Sequence, residues 1–379
     1  MATHHPGGES KRRVSLIVRI SLALFATLAS GALAWTLLGS HTAGHAASTF
    51  NEYPTKLNPW GVALDPTHGN IWVAEPNCDA SPVCPATAPS GAIGRYKMAT
   101  PGTNSKTFAA PAAYNPVFLR LDQTGNVWFT DPSHNAIGKL NPVANTWTEW
   151  TVPTANVAPY DLIFDKNGNL WFTEILGNGV GFFKPSTQTF VETKTPSANS
   201  APYGITKDAV GNIWIAENGL SKIAMFKPTF TGTGIIIKEF PIGTTATPTP
   251  HLITVDAAGK IWYSEGFAGK VGKYDPVLKT HKDYPVSAGL TQTHISGIGV
   301  DSSGQVWFTD SLAARIGTLN PTTGTVAVIQ IGFSGAHPHD GLVVDAHNNV
   351  WITELYGYRV GEVLASISPT PSPTASATV

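Results

Sequence analysis

Charge is scarce in this chain. Of its 379 residues, 13% are Asp, Glu, Lys or Arg, against roughly 25% in an ordinary soluble protein. The 24 basic and 25 acidic residues nearly cancel to a formal net charge of −1, and the lysines and arginines form no stripe. A nucleic-acid partner is therefore excluded, because such binding rests on neutralising phosphates. Methionine (3) and cysteine (2) are also rare. There is no phosphate-cradling glycine loop, no serine-hydrolase elbow and no zinc-peptidase histidine pair on a helix, so those chemistries drop out. Only one long apolar run exists, from Val14 to Gly39, interrupted by Arg19.

That run follows Lys11, Arg12 and Arg13 and precedes the small residues of "HTAGHAAS". It reads as an export segment occupying residues 1–47. Cleavage after Ala46 or Ala47 would make it a signal peptide. The 20 residues from Ile20 to Gly39 are also long enough to stay as a membrane anchor. Both readings stand, and both place the rest of the chain outside, with the positive flank inside. The protein is expected to be extracellular or anchored facing outward, touching membrane only through this segment. In an oxidising compartment Cys78 and Cys84, in "NCDASPVC", form one local disulfide most simply, with a two-cysteine metal site as the alternative. Residues 365–379, rich in Pro, Ser and Thr, read as a disordered tail.

What the chain has in quantity is glycine (37), proline (29) and aromatics (10%, with 11 Trp), a composition for short strands and tight turns. Between the ends it repeats. Trp, two variable residues and an acid recur as Trp72/Glu75, Trp128/Asp131, Trp171/Glu174, Trp214/Glu217, Trp262/Glu265, Trp307/Asp310 and Trp351/Glu354. The steps between tryptophans are 56, 43, 43, 48, 45 and 44 residues. A period in the low forties points to propeller blades or similar repeats. The long first step holds an insertion carrying both cysteines. Each unit offers an apolar run ending in Asp, an Asp/Gly turn, the Trp strand, a run such as "AIGKL" and, in most units, a fourth such as "IIIKEFPI".

Four strands in each of seven units predict an all-β, seven-bladed β-propeller over residues 48–364. The last unit lacks a fourth strand, and "TFNEYPT" (49–55) resembles the fourth strands of other units. It is expected to pair onto the last blade and close the ring, hiding edges otherwise exposed.

The repeats act as their own control. The tryptophans and following acids recur in every unit and read as scaffold, the tryptophans packing between blades and the acids accepting backbone bonds in the next turn. The turn aspartates read the same way. The start of the innermost strand varies instead. It carries Trp60, Phe118, Tyr160 with Asp161, and Tyr203 in the first four units. His251, His294 and the pair His337/His339 occupy the last three. In a propeller these starts and the ends of the Trp strands share one face, around the channel mouth. An apolar wall opposite histidines suits a small-molecule or peptide site with groups able to move protons. The plainer reading has each histidine as a half-buried, hydrogen-bonded substitute for tyrosine. His281 and His347 fall away from this face. His337 and His339 alternate along an extended segment and so share a side. With Glu354 they form two imidazoles and a carboxylate, a set able to hold a divalent ion.

Phrases such as "APYGITKDAVGNIWIAENGLSKIAMF" and "GNVWFTDPSHNAIGKLNP" resemble the virginiamycin B lyase (streptogramin lyase) family, over about residues 49–364. The resemblance implies a seven-bladed propeller that opens the lactone of type B streptogramins by β-elimination, with Mg²⁺. It implies His339 as general base, Glu354 as a metal carboxylate, and His294 or His251 facing substrate. Tyr203, Tyr160 and Trp60 would line the site. The family's Glu-Pro-His-Gly motif is here "HPHDG": His337 stands where a metal-binding Glu is expected, and Asp340 is inserted before the Gly. His337 and Asp340 are then candidate metal ligands beside Glu354.

The expected function is thus an exported, monomeric lyase acting on a small cyclic peptide or other small molecule at the channel mouth, and conferring resistance to that class of antibiotic. The alternative is a non-catalytic extracellular propeller that binds a ligand or protein. A calcium-dependent lactone hydrolase needs a ring of Asn, Asp and Glu at the channel, which these strand starts lack.

Overall fold

Seven antiparallel sheets, taken in chain order, make up the computed structural model of the protein. It describes residues 50–102, 105–229, 235–243, 249–332, 335–365 and 370–371, and the export segment expected at 1–47 lies outside them. The only helix among the described residues is the single 3₁₀ turn Gly266–Ala268. No helix among them is long and apolar enough to cross a membrane.

Each blade runs from an inner strand outward, as in blade three with Pro159–Phe164, Leu170–Glu174, Gly179–Lys184 and Thr189–Lys194. The expected closure is present. Phe50–Pro54 pairs antiparallel with Arg359–Val363 of blade seven, Phe50 opposite Val363 and Pro54 opposite Arg359. Tyr53 Oη donates to Glu362 at 2.8 Å across that seam. Of the tail, Thr370–Pro371 pairs with Ala327 and Val328 as a fifth strand on blade six.

The turn aspartates and the tryptophans turn out to be one device. In every blade the Trp Nε1 donates to the turn aspartate, as in Trp128 to Asp122 at 2.8 Å and Trp262 to Asp256 at 2.8 Å. The same carboxylate accepts backbone N–H groups of its own turn, for example from Thr124 and Asn126. That turn needs φ of +82° at Gly125, a conformation glycine adopts without a Cβ clash. So the indole is buried without an orphaned donor. Trp171 and Trp351 are 1% and 0% exposed, and each such burial contributes about 2–3 kcal/mol. Inside the blade, glycine on the third strand lets the second-strand aromatic lie flat: a Cβ on Gly138 would sit 2.0 Å from Phe129 Cζ.

The acids after the tryptophans divide into two groups. Glu75, Asp131 and Asp310 accept backbone N–H groups from Leu57, Asn115 and His294, as expected, and Asp131 also lies against a fourth-strand acid, Glu149. Glu174, Glu217, Glu265 and Glu354 depart from that expectation. They lie against a second acid on the fourth strand, Glu192, Glu239, Asp283 and Glu52 respectively. Burial, reinforced by that neighbour, pushes Glu174, Glu217 and Glu354 up to about 8 and Glu265 to about 7. Each pair therefore holds a proton near neutrality.

Candidate functional site

The strand starts are set by hydroxyls that the repeat carries just before its acid. Thr130 Oγ1 donates to the Tyr160 carbonyl at 2.5 Å, and Thr173 to that of Tyr203 at 2.7 Å. Thr309 reaches the His339 carbonyl at 2.7 Å, and Thr353 that of Trp60 at 2.5 Å. In these blades the hydroxyl fixes the inner strand of the next. The sequence reading passed over these residues, although Thr or Ser recurs there in five of the seven units.

A bulge then turns the side chains inward. In blades three to six the inner strand carries one extra residue against its partner, as between Pro159 and Leu162 opposite Glu174 and Phe172. In blade seven Pro338 faces Glu354 and Leu342 faces Ile352, so two residues are extra. The inserted Asp340 is absorbed there, by widening a bulge that the fold already uses.

Asp340 projects to the centre of the ring, 1% exposed. Tyr203 Oη, from blade four, donates to its Oδ2 at 2.6 Å. His251 Nε2 and His339 Nδ1 each approach Oδ1 to 3.2 Å. Neither imidazole contact is a well-formed hydrogen bond. Tyr160 and Tyr203 share a bond between their hydroxyls at 2.8 Å. Asn218 Nδ2 donates to His251 Nδ1 at 3.2 Å, which leaves the His251 proton on Nε2, toward Asp340.

The rings form a continuous wall. Trp60 lies 4.9 Å from His339 between centroids, Tyr203 3.8 Å from His251, His251 5.0 Å from His294, and His337 5.4 Å from His339. His294 Nδ1 meets Ser296 and Ser311 hydroxyls at 2.9 and 3.1 Å. Trp60, Tyr160, Tyr203, His251, His294, His337, His339 and Asp340 are all at most 9% exposed. The structure brings these eight together. Glu354 is not among them: it sits beside Glu52 and Arg359 in the scaffold pair described above. Its place after Trp351 is the structural one occupied by the acids of the sister blades.

Electrostatics sort the histidines. Burial works against ionising Asp340, but the facing imidazoles of His339 and His251 more than reverse this and hold it well below the carboxylate range. Burial disfavours the His339 imidazolium, yet Asp340 and, further off, Asp79 outweigh it and raise its pKa. Burial and the neighbouring histidines push His294 far down, and burial with His339 takes His337 to about 3. One histidine is coupled to a carboxylate while these two stay neutral.

The insertion between Glu75 and Ala92 covers part of this wall. Cys78 and Cys84 are joined in a disulfide. Between them Ala80 is fully buried and its carbonyl accepts from Tyr160 Oη at 3.1 Å, while Asn58 Nδ2 donates to the Cys78 carbonyl. Asp79 accepts from Tyr356 Oη at 2.9 Å. Tyr356 packs against His337 at 4.8 Å and Phe267 against His294 at 4.6 Å between ring centroids, yet these two residues are 45% and 65% exposed. Asp79, Phe267 and Tyr356 were missed from sequence, since they lie in loops outside the repeat's regular strands.

The donor set does not suit Mg²⁺, which requires mostly oxygen ligands in near-octahedral geometry. Among the described residues Asp340 is the carboxylate in contact with the channel histidines, and both its oxygens already face Tyr203 and two imidazoles. Imidazole-rich surroundings of this kind suit softer transition ions.

Residues 86–294 match the virginiamycin B lyase family. The match ends at His294, before the widened bulge of blade seven. A streptogramin B lyase structure is 23% identical, covering 83% of this chain and 96% of that one, with a TM-score of 0.70. A catalytically inactive virginiamycin B lyase from Staphylococcus aureus with quinupristin gives the same identity and TM-score, covering 83% and 98%. YCF48 bound to D1 peptide is 11% identical, covering 87% and 99%, with a TM-score of 0.63. At these identities the structures attest the fold. No curated protein sequence matches the chain.

Proposed function

The chain belongs to the virginiamycin B lyase family, and from that premise we propose that it opens the lactone of a small cyclic depsipeptide by β-elimination, with His339 as general base. One observation carries the reading: His339 Nδ1 lies 3.2 Å from a buried carboxylate, Asp340. A proton held at Nδ1 leaves Nε2 as the acceptor, the arrangement by which a carboxylate orients and strengthens an imidazole base. His339 Nε2 takes a proton from the carbon next to a carbonyl. The electron pair left behind forms the C=C bond as the ester C–O bond breaks and the carboxylate departs. Water is not consumed. Asp340 stabilises the imidazolium formed, and the neutral His294 is available to face substrate. Phe267 and Tyr356 present apolar area at the rim, which suits an apolar macrocycle. Because the donors fit Mg²⁺ poorly, no step is routed through a metal. Lys11, Arg12, Arg13 and the apolar run behind them support action outside the membrane.

The test is incubation with a type B streptogramin, followed by chromatography and mass spectrometry. Elimination yields a linear isomer of unchanged mass, whereas hydrolysis adds one water. An intact lactone after prolonged incubation, with and without added divalent ions, overturns the proposal. A second reading, a binding propeller without turnover, draws on the coverage of the site by the disulfide-clamped insertion. Under that reading the wild type binds the macrocycle without converting it, and His339→Ala keeps the affinity.

A further inference from the structure

Blade two carries a second group of ligating side chains, remote in the sequence from the strand starts of blades five to seven. Asp131, after Trp128, pairs with Glu149 on the fourth strand as in the sister blades. What differs is the third member. In the other paired blades a Lys or Arg reaches the acids: Lys194 approaches Glu174 at 3.9 Å, Lys222 Glu239 at 2.6 Å, Lys270 Asp283 at 3.4 Å and Arg359 Glu52 at 3.8 Å. In blade two the third strand starts with Ala136, and His134 takes that role. His134 Nδ1 lies 3.1 Å from Glu149 Oε2 and 3.6 Å from Asp131 Oδ2.

An ammonium or guanidinium can only donate, whereas a neutral imidazole offers a lone pair. One nitrogen and two carboxylate oxygens here lie within 4.8 Å of one another. Asp131 is oriented by N–H groups of Asn115, Ser133 and His134. Glu149, with 10% of its side chain exposed, lies against Asp131 and, like the paired acids of the sister blades, has an oxygen, Oε1, that no N–H or hydroxyl reaches; the buried Ser133 Oγ beside it is likewise without a partner. A cavity of about 400 Å³ opens beside the group, lined by Cys84, Pro85, Ala88, Asn115, Ser133 and His134. So the cluster has convergent ligands, an unanswered oxygen and room for further ligands.

We propose that Asp131, His134 and Glu149 bind a divalent transition ion of the Zn²⁺ type, with its remaining positions facing the cavity beneath the disulfide-clamped insertion. Mixed imidazole and carboxylate donors with open positions are the set such ions take. The site is independent of the lactone chemistry proposed above, and neither stands on the other.

The experiment uses tag-free full-length protein stripped with EDTA, titrated with ZnCl₂ by calorimetry and with CoCl₂ by visible absorption. His134→Lys restores the cation of the sister blades and should fold with an unchanged melting temperature. Glu149→Gln removes a ligand while keeping shape. The wild type should bind one more ion than His134→Lys, and Glu149→Gln should bind that ion roughly 10–100-fold more weakly. The channel histidines and N-terminal histidines are common to all three proteins and cancel. Equal stoichiometry and affinity in wild type and His134→Lys would overturn the proposal, leaving His134 as a mere counter-charge.

Discussion

Raising the pH from 7.5 to 8.5 should destabilise this propeller, although few of its surface charges change over that range. The reason lies in the acid pairs inside the blades. Glu174, Glu217 and Glu354 are 0% exposed and titrate at about 8 in the folded chain. Unfolded, they titrate near the ordinary value of 4.5 and hold no proton in this window. Their folded pKa values are raised, so the associated stability is fully present below the unfolded value and is lost as pH climbs through the folded one. Each proton held only by the folded state removes about 1.4 kcal/mol per pH unit. These three carboxyls, half-protonated near pH 8, contribute a loss of roughly 2 kcal/mol per pH unit, and Glu149, raised to about 9, adds to it in the same direction. At about 2–4 °C per kcal/mol for a chain of this size, the three alone lower the melting temperature by roughly 4–8 °C. His294 and His337, depressed by burial, are neutral in both states here and contribute nothing; His339, raised, acts in the same direction. Calorimetry in EDTA at several pH values measures the slope. Glu192→Gln with Glu52→Gln removes two of the like-charge neighbours and should flatten it. A melting temperature that is flat or rises with pH, or a slope unchanged in the double variant, would refute the account.

Three further outcomes follow from the same structure. His339→Ala should lower lactone opening by about 10²–10⁴-fold, the usual worth of a general base, measured by product formation on protein shown by calorimetry to be folded. Because Asp340 raises His339, activity should rise with pH through that raised value; Asp340→Asn should move this acid limb to lower pH and slow turnover, read from pH–rate profiles of both proteins. Deleting residues 50–54 uncovers the Arg359–Val363 edge and removes the Tyr53 to Glu362 bond, at a cost of about 3 kcal/mol or more. The melting temperature of that variant should drop by roughly 6–12 °C, and an unaltered melt would contradict ring closure through this strand.

The sequence by itself determined the blade. Trp, turn aspartate and glycine recur together because an indole can be buried only with a hydrogen-bond acceptor, and the acceptor stands six or seven residues earlier in each unit. The closing strand was legible for the same reason, since the last unit lacks a partner that Phe50–Pro54 resembles. The aromatic and histidine strand starts stood out against the repeat. What they touch was decided only in three dimensions. Glu354 shares its spacing with every other acid after a tryptophan, and only strand pairing directs it to Glu52 instead of the histidines. Asp340 looked like an insertion breaking a motif. The widened bulge places it between residues 137 and 89 positions away, Tyr203 and His251, as a carboxylate buried against the channel histidines. Local sequence sets periodicity because each strand is built from neighbours. Seven blades converging on one axis bring distant residues together, and that convergence is a property of the closed ring.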